Sequence, residues 1–299
     1  MRLGIDIGGT TIKYGIVSNE GKIIESFSFD TKVNDGYLLI VNNIIIQVLT
    51  IKEKYKIDSI GIGVPGIVDK NGEIVKNCPN LFWKNVTLGK DIEFKTGIKT
   101  YVENDANIAL LAEYAFGNAK GYSDVIMLTL GTGVGGAAIV DGKLLKGSRG
   151  YGTEFGHIYV GENKNRCNCG KYGCLESFVS ATGIIRYAQN LYDKNQISTR
   201  VKSAKQIFES EDIISKKAIE RVGYYLAVGI GNLIQCFNPE CVIIGGGLSG
   251  AKDKLLNSIE RNISNQLGFF NKNDVEIAIA KWGNRAGIIG ASILSEYRN

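Results

Sequence analysis

The sequence predicts an α/β protein built from two related lobes. The main observation is a β-rich opening that occurs twice, over residues 3–24 (LGIDIGGTTIKYGIVSNEGKII) and over residues 126–145 (IMLTLGTGVGGAAIVDGKLL). Each copy consists of an apolar strand, a glycine-rich turn and a second apolar strand. Each is also followed by stretches with helical patterning. A repeated unit of this kind implies two α/β lobes with a cleft between them.

Hydrophobic periodicity predicts the other elements. Helices are expected over residues 37–55, 107–116, 179–192, 203–209, 215–236, 252–267 and 285–297, and strands over 59–64, 100–103, 241–244 and 275–280. We expect a small N-terminal lobe over residues 1–106, completed by a terminal helix at 285–299. A larger lobe is expected over residues 107–284.

Composition excludes several classes of partner. The 299 residues are 44% hydrophobic, which is enough for a sizeable core, and the formal charge is only +5. No run of basic residues suits a nucleic-acid backbone. The first strand starts without a basic leader, and the apolar runs are far shorter than the ~20 residues that span a bilayer. We therefore expect a soluble cytoplasmic protein with no nucleic-acid or membrane partner.

The two glycine turns are candidate phosphate-binding elements. They read Gly8-Gly9-Thr10-Thr11 and Gly131-Thr132-Gly133, where backbone N–H groups and threonine hydroxyls can approach an anion. Asp6 precedes the first turn and could hold a hydrated Mg²⁺ ion against the phosphates. Either turn alone would be read as a tight hairpin, but the duplicated pair favours a polyphosphate site.

The second turn also matches G-x-G-x-x-G at Gly131, Gly133 and Gly136. A dinucleotide fingerprint of this form must lead from a strand into a helix. Here the chain continues as a strand, which predicts a hairpin instead.

A polar segment, Glu103-Asn104-Asp105-Ala106-Asn107, falls at a predicted strand-to-helix junction. Asn104 or Asp105 could be a helix N-cap. Alternatively, an aspartate at a strand end could accept the proton of a hydroxyl that attacks a γ-phosphate, mainly by orienting it.

The single histidine of the chain, His157, stands ten residues before a loop with three cysteines, Cys167, Cys169 and Cys174. One imidazole and three thiolates suit a closed tetrahedral zinc site. Disulfides are the competing interpretation, and an odd set of three in a reduced compartment disfavours them. Glu154 and Glu176 flank this segment and could accept hydrogen bonds from sugar hydroxyls or simply be solvated.

These motifs together resemble the ROK family (repressors, open reading frames and kinases). The resemblance rests on DIGGT at residues 6–10, ENDAN at 103–107, LGTGVGG at 130–136, E-x-G-H at 154–157 and C-x-C-G-x-x-G-C-x-E at 167–176. It implies a two-lobed actin-like ATPase fold of the ribonuclease H-like type, a homodimer, and ATP with Mg²⁺ as phosphate donor.

The resemblance also implies residue roles. Asp105 would be the catalytic base. Contacts to the sugar would come from Asn104, Asp105, Glu154, His157, Glu176, Gly66 and Asn80. The nucleotide and its metal would be surrounded by Asp6, Gly8, Gly9, Thr10, Thr11, Lys13, Gly131, Thr132, Gly133 and Gly246. His157 would use one ring nitrogen for zinc and the other for a sugar hydroxyl.

Within that family, the sequence resembles the glucokinase branch most. ROK repressors carry a DNA-binding helix-turn-helix before the first hairpin, which here begins at residue 3, and ROK fructokinases tend to have His-Pro-Glu where this chain has Gly152-Thr153-Glu154. We expect transfer of the γ-phosphate of ATP to the 6-hydroxyl of a hexose, most simply glucose. N-acetylmannosamine, fructose and β-glucosides are alternative substrates, and a sugar sensor without turnover is the alternative to an enzyme.

Overall fold

A computed structural model describes residues 1–297 and divides the chain into two units. The first unit comprises residues 1–120, 143–153 and 284–299, and the second comprises residues 121–142 and 154–283. The last two residues of the predicted terminal helix, 298 and 299, lie outside the described residues. The lobe boundaries expected at 106/107 and 284/285 stay a prediction.

The strands are β1 (Arg2–Ile7), β2 (Thr11–Val17), β3 (Ile23–Asp30), β4 (Ser59–Val64), β5 (Ile67–Val68), β6 (Val75–Cys78), β7 (Trp83–Val86), β8 (Thr100–Asn104), β9 (Val125–Leu130), β10 (Val134–Val140), β11 (Lys143–Leu144), β12 (Cys241–Gly245) and β13 (Glu276–Ile279). The α-helices are α1 (Gly36–Lys54), α2 (Leu88–Thr96), α3 (Asp105–Phe116), α4 (Glu176–Val179), α5 (Ala181–Lys194), α6 (Ala204–Glu209), α7 (Ile213–Phe237), α8 (Asp253–Ile263) and α9 (Ala286–Ser292). Short 3₁₀ turns lie between them.

The first unit contains a mixed sheet in the order β3-β2-β1-β4-β8. Strand β1 pairs antiparallel with β2 through the first glycine turn and parallel with β4, which in turn pairs parallel with β8. All six residues of β4 are buried, as expected for a central strand covered on both faces. Because β1, β4 and β8 run parallel, their carboxyl ends lie side by side at the same end of the sheet.

Helices α3 and α9 pack together and against this sheet, and glycines permit the close approach. A Cβ atom on Gly61 of β4 would lie 1.7 Å from the carbonyl oxygen of Ala291, and one on Gly290 would lie 1.7 Å from that of Ile108. Any side chain at these positions would push α9 away from β4 or α3. The terminal helix is shorter than predicted, because α9 ends at Ser292 and a 3₁₀ turn over Leu294–Glu296 follows.

Helix α1 covers the sheet with one apolar face. Ile40, Ile44 and Val48 are buried in the core of the first unit, whereas Leu38 and Ile46 on other faces are exposed. By length and composition the stretch Val33–Lys54 is apolar enough to cross a membrane, and 33% of an 18-residue apolar part of it is buried within the protein. A buried face of this kind is also typical of a core helix.

Two parts of the first unit were not predicted from the sequence: helix α2 and the small sheet in the order β5-β6-β7. The strands β6 (VKNC) and β7 (WKNV) are four residues long and contain charged and amide side chains. Segments this short carry too few residues for a periodic signal.

In the second unit, β9 lies between β10 and β12, and β13 pairs parallel with β12. Strand β9 is therefore antiparallel to β10 on one side and parallel to β12 on the other, as β1 is to β2 and β4. The repeat seen in the sequence is thus a repeat of strand pairing. Helix α7, the longest, packs against α5 and α8.

Candidate active site

The first glycine turn joins β1 to β2 and is closed by backbone hydrogen bonds. The N–H of Gly8 donates to the carbonyl of Thr11 at 2.9 Å, and the Thr31 hydroxyl donates to the carbonyl of Gly8 at 2.6 Å. The N–H of Thr31 donates to the carbonyl of Thr10 at 2.9 Å. Thr31, the residue after β3, therefore supports the turn through two hydrogen bonds, while Thr10 is exposed at the tip of the turn.

Asp6 lies directly before this turn and opposite Lys13 in the β1–β2 register. Its Oδ2 atom is 3.7 Å from the Lys13 Nζ atom. Burial raises the pKa of Asp6, and the charge of Lys13 opposes that effect. Gly287 of α9 packs on this carboxyl group, because a Cβ atom there would lie 2.5 Å from both Cγ and Oδ2 of Asp6. The carboxylate is thus held in a narrow space with a cation beside it.

Asn104, rather than Asp105, is the N-cap of α3. Its Oδ1 atom accepts hydrogen bonds from the backbone N–H groups of Ala106 at 2.9 Å and Asn107 at 3.3 Å. Its Nδ2 group donates to the carbonyl of Gly66 at 3.0 Å. Because Asn104 satisfies the helix end, Asp105 is left as the first residue of α3 at the edge where β8 ends.

Asp105 is exposed, and its Oδ1 atom accepts a hydrogen bond from the N–H of Ala106 at 2.9 Å. Water reaches the Asp105 side chain, but the protein atoms crowded around its carboxyl group replace part of the hydration shell. This desolvation raises the pKa of Asp105 to about 6, and the negative charge of Asp6 adds to the effect. The group is therefore ionised at neutral pH and still basic enough to accept a proton.

Gly66 and Asn80 also lie in the first unit. A Cβ atom on Gly66 would lie 2.5 Å from the carbonyl oxygen of Asn77, so the backbone there is pressed against β6. Asn80 is exposed in a 3₁₀ turn, and its Cβ atom would be 3.7 Å from a Cβ atom on Gly9. The structure thus brings Asn80 next to the first glycine turn, and joins Gly66 to Asn104.

The second glycine turn, between β9 and β10, is supported by the segment that follows the cysteine loop. The N–H of Ala181 donates to the carbonyl of Gly131 at 2.8 Å, and the Thr182 hydroxyl donates to the carbonyl of Thr132 at 3.1 Å. The N–H of Val134 donates to Oε2 of Glu176 at 3.0 Å. Thr132 stays exposed.

Because Gly133 has no side chain, the Glu176 carboxylate can lie directly against the second glycine turn. A Cβ atom on Gly133 would lie 2.5 Å from the Glu176 Oε2 atom. Glu176 therefore belongs to the second glycine turn as much as to the cysteine loop, a connection that sequence reasoning missed because 42 residues separate Glu176 from Val134.

The four residues His157, Cys167, Cys169 and Cys174 form a cluster in the second unit. One ligand-type atom from each lies within 4.8 Å of the others. The Cys169 and Cys174 sulfurs are 3.5 Å apart, and the Cys167 sulfur is 3.6 Å from Nδ1 of His157. Ligands at 2.0 to 2.3 Å around a tetrahedral zinc would be separated by about 3.3 to 3.8 Å, so these two pairs have the separation that zinc requires, and one imidazole with three thiolates is a donor set that suits this ion.

The other ring nitrogen of His157 points toward Glu154. The Nε2 atom is 3.9 Å from Oε2 of Glu154, and Glu154 is exposed. Lys171, within the cysteine loop, donates to the carbonyl of His157 at 3.2 Å. The cluster thus orients the imidazole so that Nε2 and the Glu154 carboxylate form one polar surface.

Gly246 follows β12 and has a φ of 82°. A Cβ atom there would lie 2.4 Å from the carbonyl oxygen of Leu130, at the start of the second glycine turn. Beyond it is a cavity of about 590 Å³ lined by residues of α6 and of the turn after β12, among them Lys205, Phe208, Gly247, Leu248 and Lys252. Sequence reasoning singled out Gly246 but missed this cavity, because no local motif connects α6 to the turn.

Two units that each begin with a glycine-turn hairpin, with an acid before the first turn and another just after β8, have the arrangement expected of the actin-like ATPase fold. The comparisons with known proteins agree. The model of the ROK family matches residues 2–298. The chain belongs to the ROK family.

Its relatives include sugar kinases. The chain is 36% identical to the glucokinase of Thermotoga maritima, with 98% of this chain and 97% of that protein covered. It is also 36% identical to the glucokinase of Halalkalibacterium halodurans, with 98% and 94% covered. A crystal structure of a ROK family glucokinase from Streptomyces griseus in complex with glucose and AMPPNP matches with a TM-score of 0.84 at 32% identity, covering 98% of both chains. The predicted α/β, actin-like fold class and the ROK membership are confirmed.

Proposed function

We propose that this protein is an ATP-dependent glucokinase that transfers the γ-phosphate of ATP to the 6-hydroxyl of glucose. The observation that carries the proposal lies at the start of α3. The Asn104 side chain caps the helix, so the Asp105 carboxylate remains available for a hydroxyl group. The 36% identity to named glucokinases over nearly the whole chain supports glucose as the sugar.

In the proposed reaction the oxygen of the sugar hydroxyl attacks the γ-phosphorus in line. The new O–P bond forms as the bond to the β,γ-bridging oxygen breaks, and ADP leaves. The hydroxyl proton passes to the Asp105 carboxylate. Because the transition state is loose, Asp105 contributes mainly by orienting the hydroxyl, and a pKa of about 6 is sufficient.

For the nucleotide, we propose that the N–H groups and hydroxyls of both glycine turns bind the phosphates, with Asp6 holding the hydrated Mg²⁺ ion. Bound Mg²⁺ would neutralise charge on the phosphate oxygens. The adenosine part fits the 590 Å³ cavity beyond Gly246, where Phe208 and Leu248 offer apolar surface. The Lys13 ammonium group would then leave its weak contact with Asp6 and bind the phosphates.

For the sugar, we propose contacts from Asn104, Asp105, Glu154, His157 and Glu176, with Gly66 and Asn80 alongside. The cluster of His157, Cys167, Cys169 and Cys174 would hold a structural Zn²⁺ through Nδ1 and three thiolates. Metal bound there would fix the imidazole, and Nε2 would face a sugar hydroxyl.

An ADP-release assay with a panel of hexoses tests the proposal. We expect turnover with glucose to exceed that with N-acetylmannosamine, fructose and a β-glucoside. Preferred turnover of another sugar would reassign the substrate. Sugar binding by calorimetry without turnover of any sugar would instead favour a sugar sensor.

We also propose a homodimer located in the cytoplasm. The family resemblance supports the homodimer. The proposed use of ATP and the cluster of free cysteines support the cytoplasm, where thiols stay reduced. Sedimentation equilibrium measures the first property, and cell fractionation measures the second.

A further inference from the structure

The segment Lys143–Thr153 leaves the second hairpin and belongs to the first unit. One side chain anchors it there. The Lys146 Nζ atom lies 2.5 Å from Oε2 of Glu103, and the two side chains are only 17% and 4% exposed. This is an ion pair between a residue of the segment and the residue two positions before Asp105.

Glu103 also organises the start of α3 through its other oxygen. Its Oε1 atom accepts hydrogen bonds from the N–H of Asn104 at 2.9 Å and from Nδ2 of Asn107 at 3.0 Å. These two residues flank Asp105 on either side. One carboxylate thus determines where the backbone turns from β8 into α3.

Lys146 is required for that arrangement because the carboxylate is buried. A buried charge without its partner is strongly destabilising, so the Glu103 carboxylate would move if Lys146 were absent. That movement would disturb its hydrogen bonds to Asn104 and Asn107.

The backbone of Lys146 also helps to close the loop over residues 146–152. Its carbonyl accepts a hydrogen bond from the N–H of Gly152 at 3.0 Å, which closes the loop 146–152. Lys76 donates to the carbonyl of Arg149 at 3.2 Å and holds the same loop. The loop ends two residues before Glu154 along the chain.

We propose that Lys146 is a positioning residue for phosphoryl transfer: its ammonium group holds Glu103, and Glu103 sets the position of Asn104 and Asp105. This inference rests on the proposed kinase function. It predicts that Lys146 affects the chemical step more than sugar binding, because the orientation of Asp105 matters most in the transition state.

The test compares Lys146→Met, Lys146→Arg and a control, Lys143→Met, in steady-state assays with ATP and glucose. Lys143 is an exposed lysine of the same segment. We expect Lys146→Met to lower kcat about 100-fold, as misplacement of a catalytic group by about 1 Å does. We expect glucose affinity by calorimetry to change by less than about 10-fold, Lys146→Arg to recover most of kcat, and Lys143→Met to behave as the wild type.

A double-mutant cycle with Asp105→Asn distinguishes a positioning role of Lys146 from a general loss of structure at the site. If Lys146 acts through Asp105, adding Lys146→Met to Asp105→Asn lowers the residual rate little further. If Lys146→Met alone folds poorly, Glu103→Gln/Lys146→Met removes both buried charges and should fold, still with a low kcat.

Three results would overturn the inference: wild-type kcat in Lys146→Met, an equal loss in Lys143→Met, or a full multiplicative loss in the Asp105→Asn background. The wild-type assay keeps the two proposals apart. No turnover by the wild type refutes the kinase, whereas wild-type turnover with an unaffected Lys146→Met refutes only the positioning role.

Discussion

The backbone N–H of Val134 donates a hydrogen bond to Oε2 of Glu176 at 3.0 Å. Val134 begins the strand after the second glycine turn, and Glu176 stands two residues after the last cysteine of the cluster. One carboxylate therefore connects a proposed phosphate-binding turn with a proposed zinc loop, within the second unit. A role for Glu176 in sugar binding alone would not require this bond.

We expect Glu176→Ala to raise the KM for ATP about 10-fold as well as the KM for glucose, because the turn loses one of its hydrogen bonds. Glu176→Gln, which keeps an acceptor oxygen, should affect ATP less. Steady-state kinetics with each substrate varied in turn measures both constants. Glu162→Ala, at an exposed acid of the same loop, is the control. An unchanged KM for ATP in Glu176→Ala would show that the turn does not depend on this carboxylate.

The raised pKa of Asp105 predicts the pH dependence of the reaction. The base must be ionised, so kcat should fall as the pH drops through about 6 and level off above it. Asp105→Asn should lower kcat about 10³-fold while leaving glucose affinity within a few-fold of wild type. A pH–rate profile of both proteins and calorimetry with glucose check this.

The residual rate of Asp105→Asn should lack the acidic limb. Asp141→Asn, in an exposed turn with a φ of 50° that asparagine tolerates, serves as control. Near wild-type kcat in Asp105→Asn would remove Asp105 from the reaction.

Metal analysis of the purified protein should find about one zinc per chain, as expected of a closed four-ligand site. Cys169→Ser should lose the zinc and lower the Tm by about 5–10 °C, because binding of a structural zinc contributes directly to folding. Cys236→Ser removes an exposed cysteine outside the cluster and should change neither quantity. Retention of full zinc content by Cys169→Ser would contradict the proposed ligand set.

Gly287→Ala tests the packing of α9 on Asp6. The added methyl group would lie 2.5 Å from the Asp6 carboxyl group, so the side chain or the helix must shift. We expect a loss of about 1–3 kcal/mol in the free energy of unfolding, typical of overpacking, and a higher Mg²⁺ concentration for half-maximal activity. Urea unfolding and Mg²⁺ titrations measure the two effects. An unaltered Mg²⁺ response would show that Asp6 does not hold the ion.

Strong local patterns made much of the fold predictable. The strand-turn-strand openings, the buried strand over Ser59–Val64 and the helix over Gly36–Lys54 have clear periodicity or a hairpin motif, and the structure has them at or near the predicted bounds. The small sheet β5-β6-β7 and helix α2 escaped prediction because these segments are short and mix apolar with polar residues, and packing against the rest of the first unit stabilises them.

The sequence by itself determined the residue types at the site: two glycine turns, a strand-end Asn-Asp pair, and a histidine ten residues before three cysteines. Chemistry follows from residue type and local spacing, so these could be identified without coordinates. Only the tertiary structure decided which residues support them. Glu176 with Val134, Gly287 with Asp6, and Lys146 with Glu103 are separated by 42 residues or more along the chain. Such contacts arise from how strands and helices pack, and no local pattern records them.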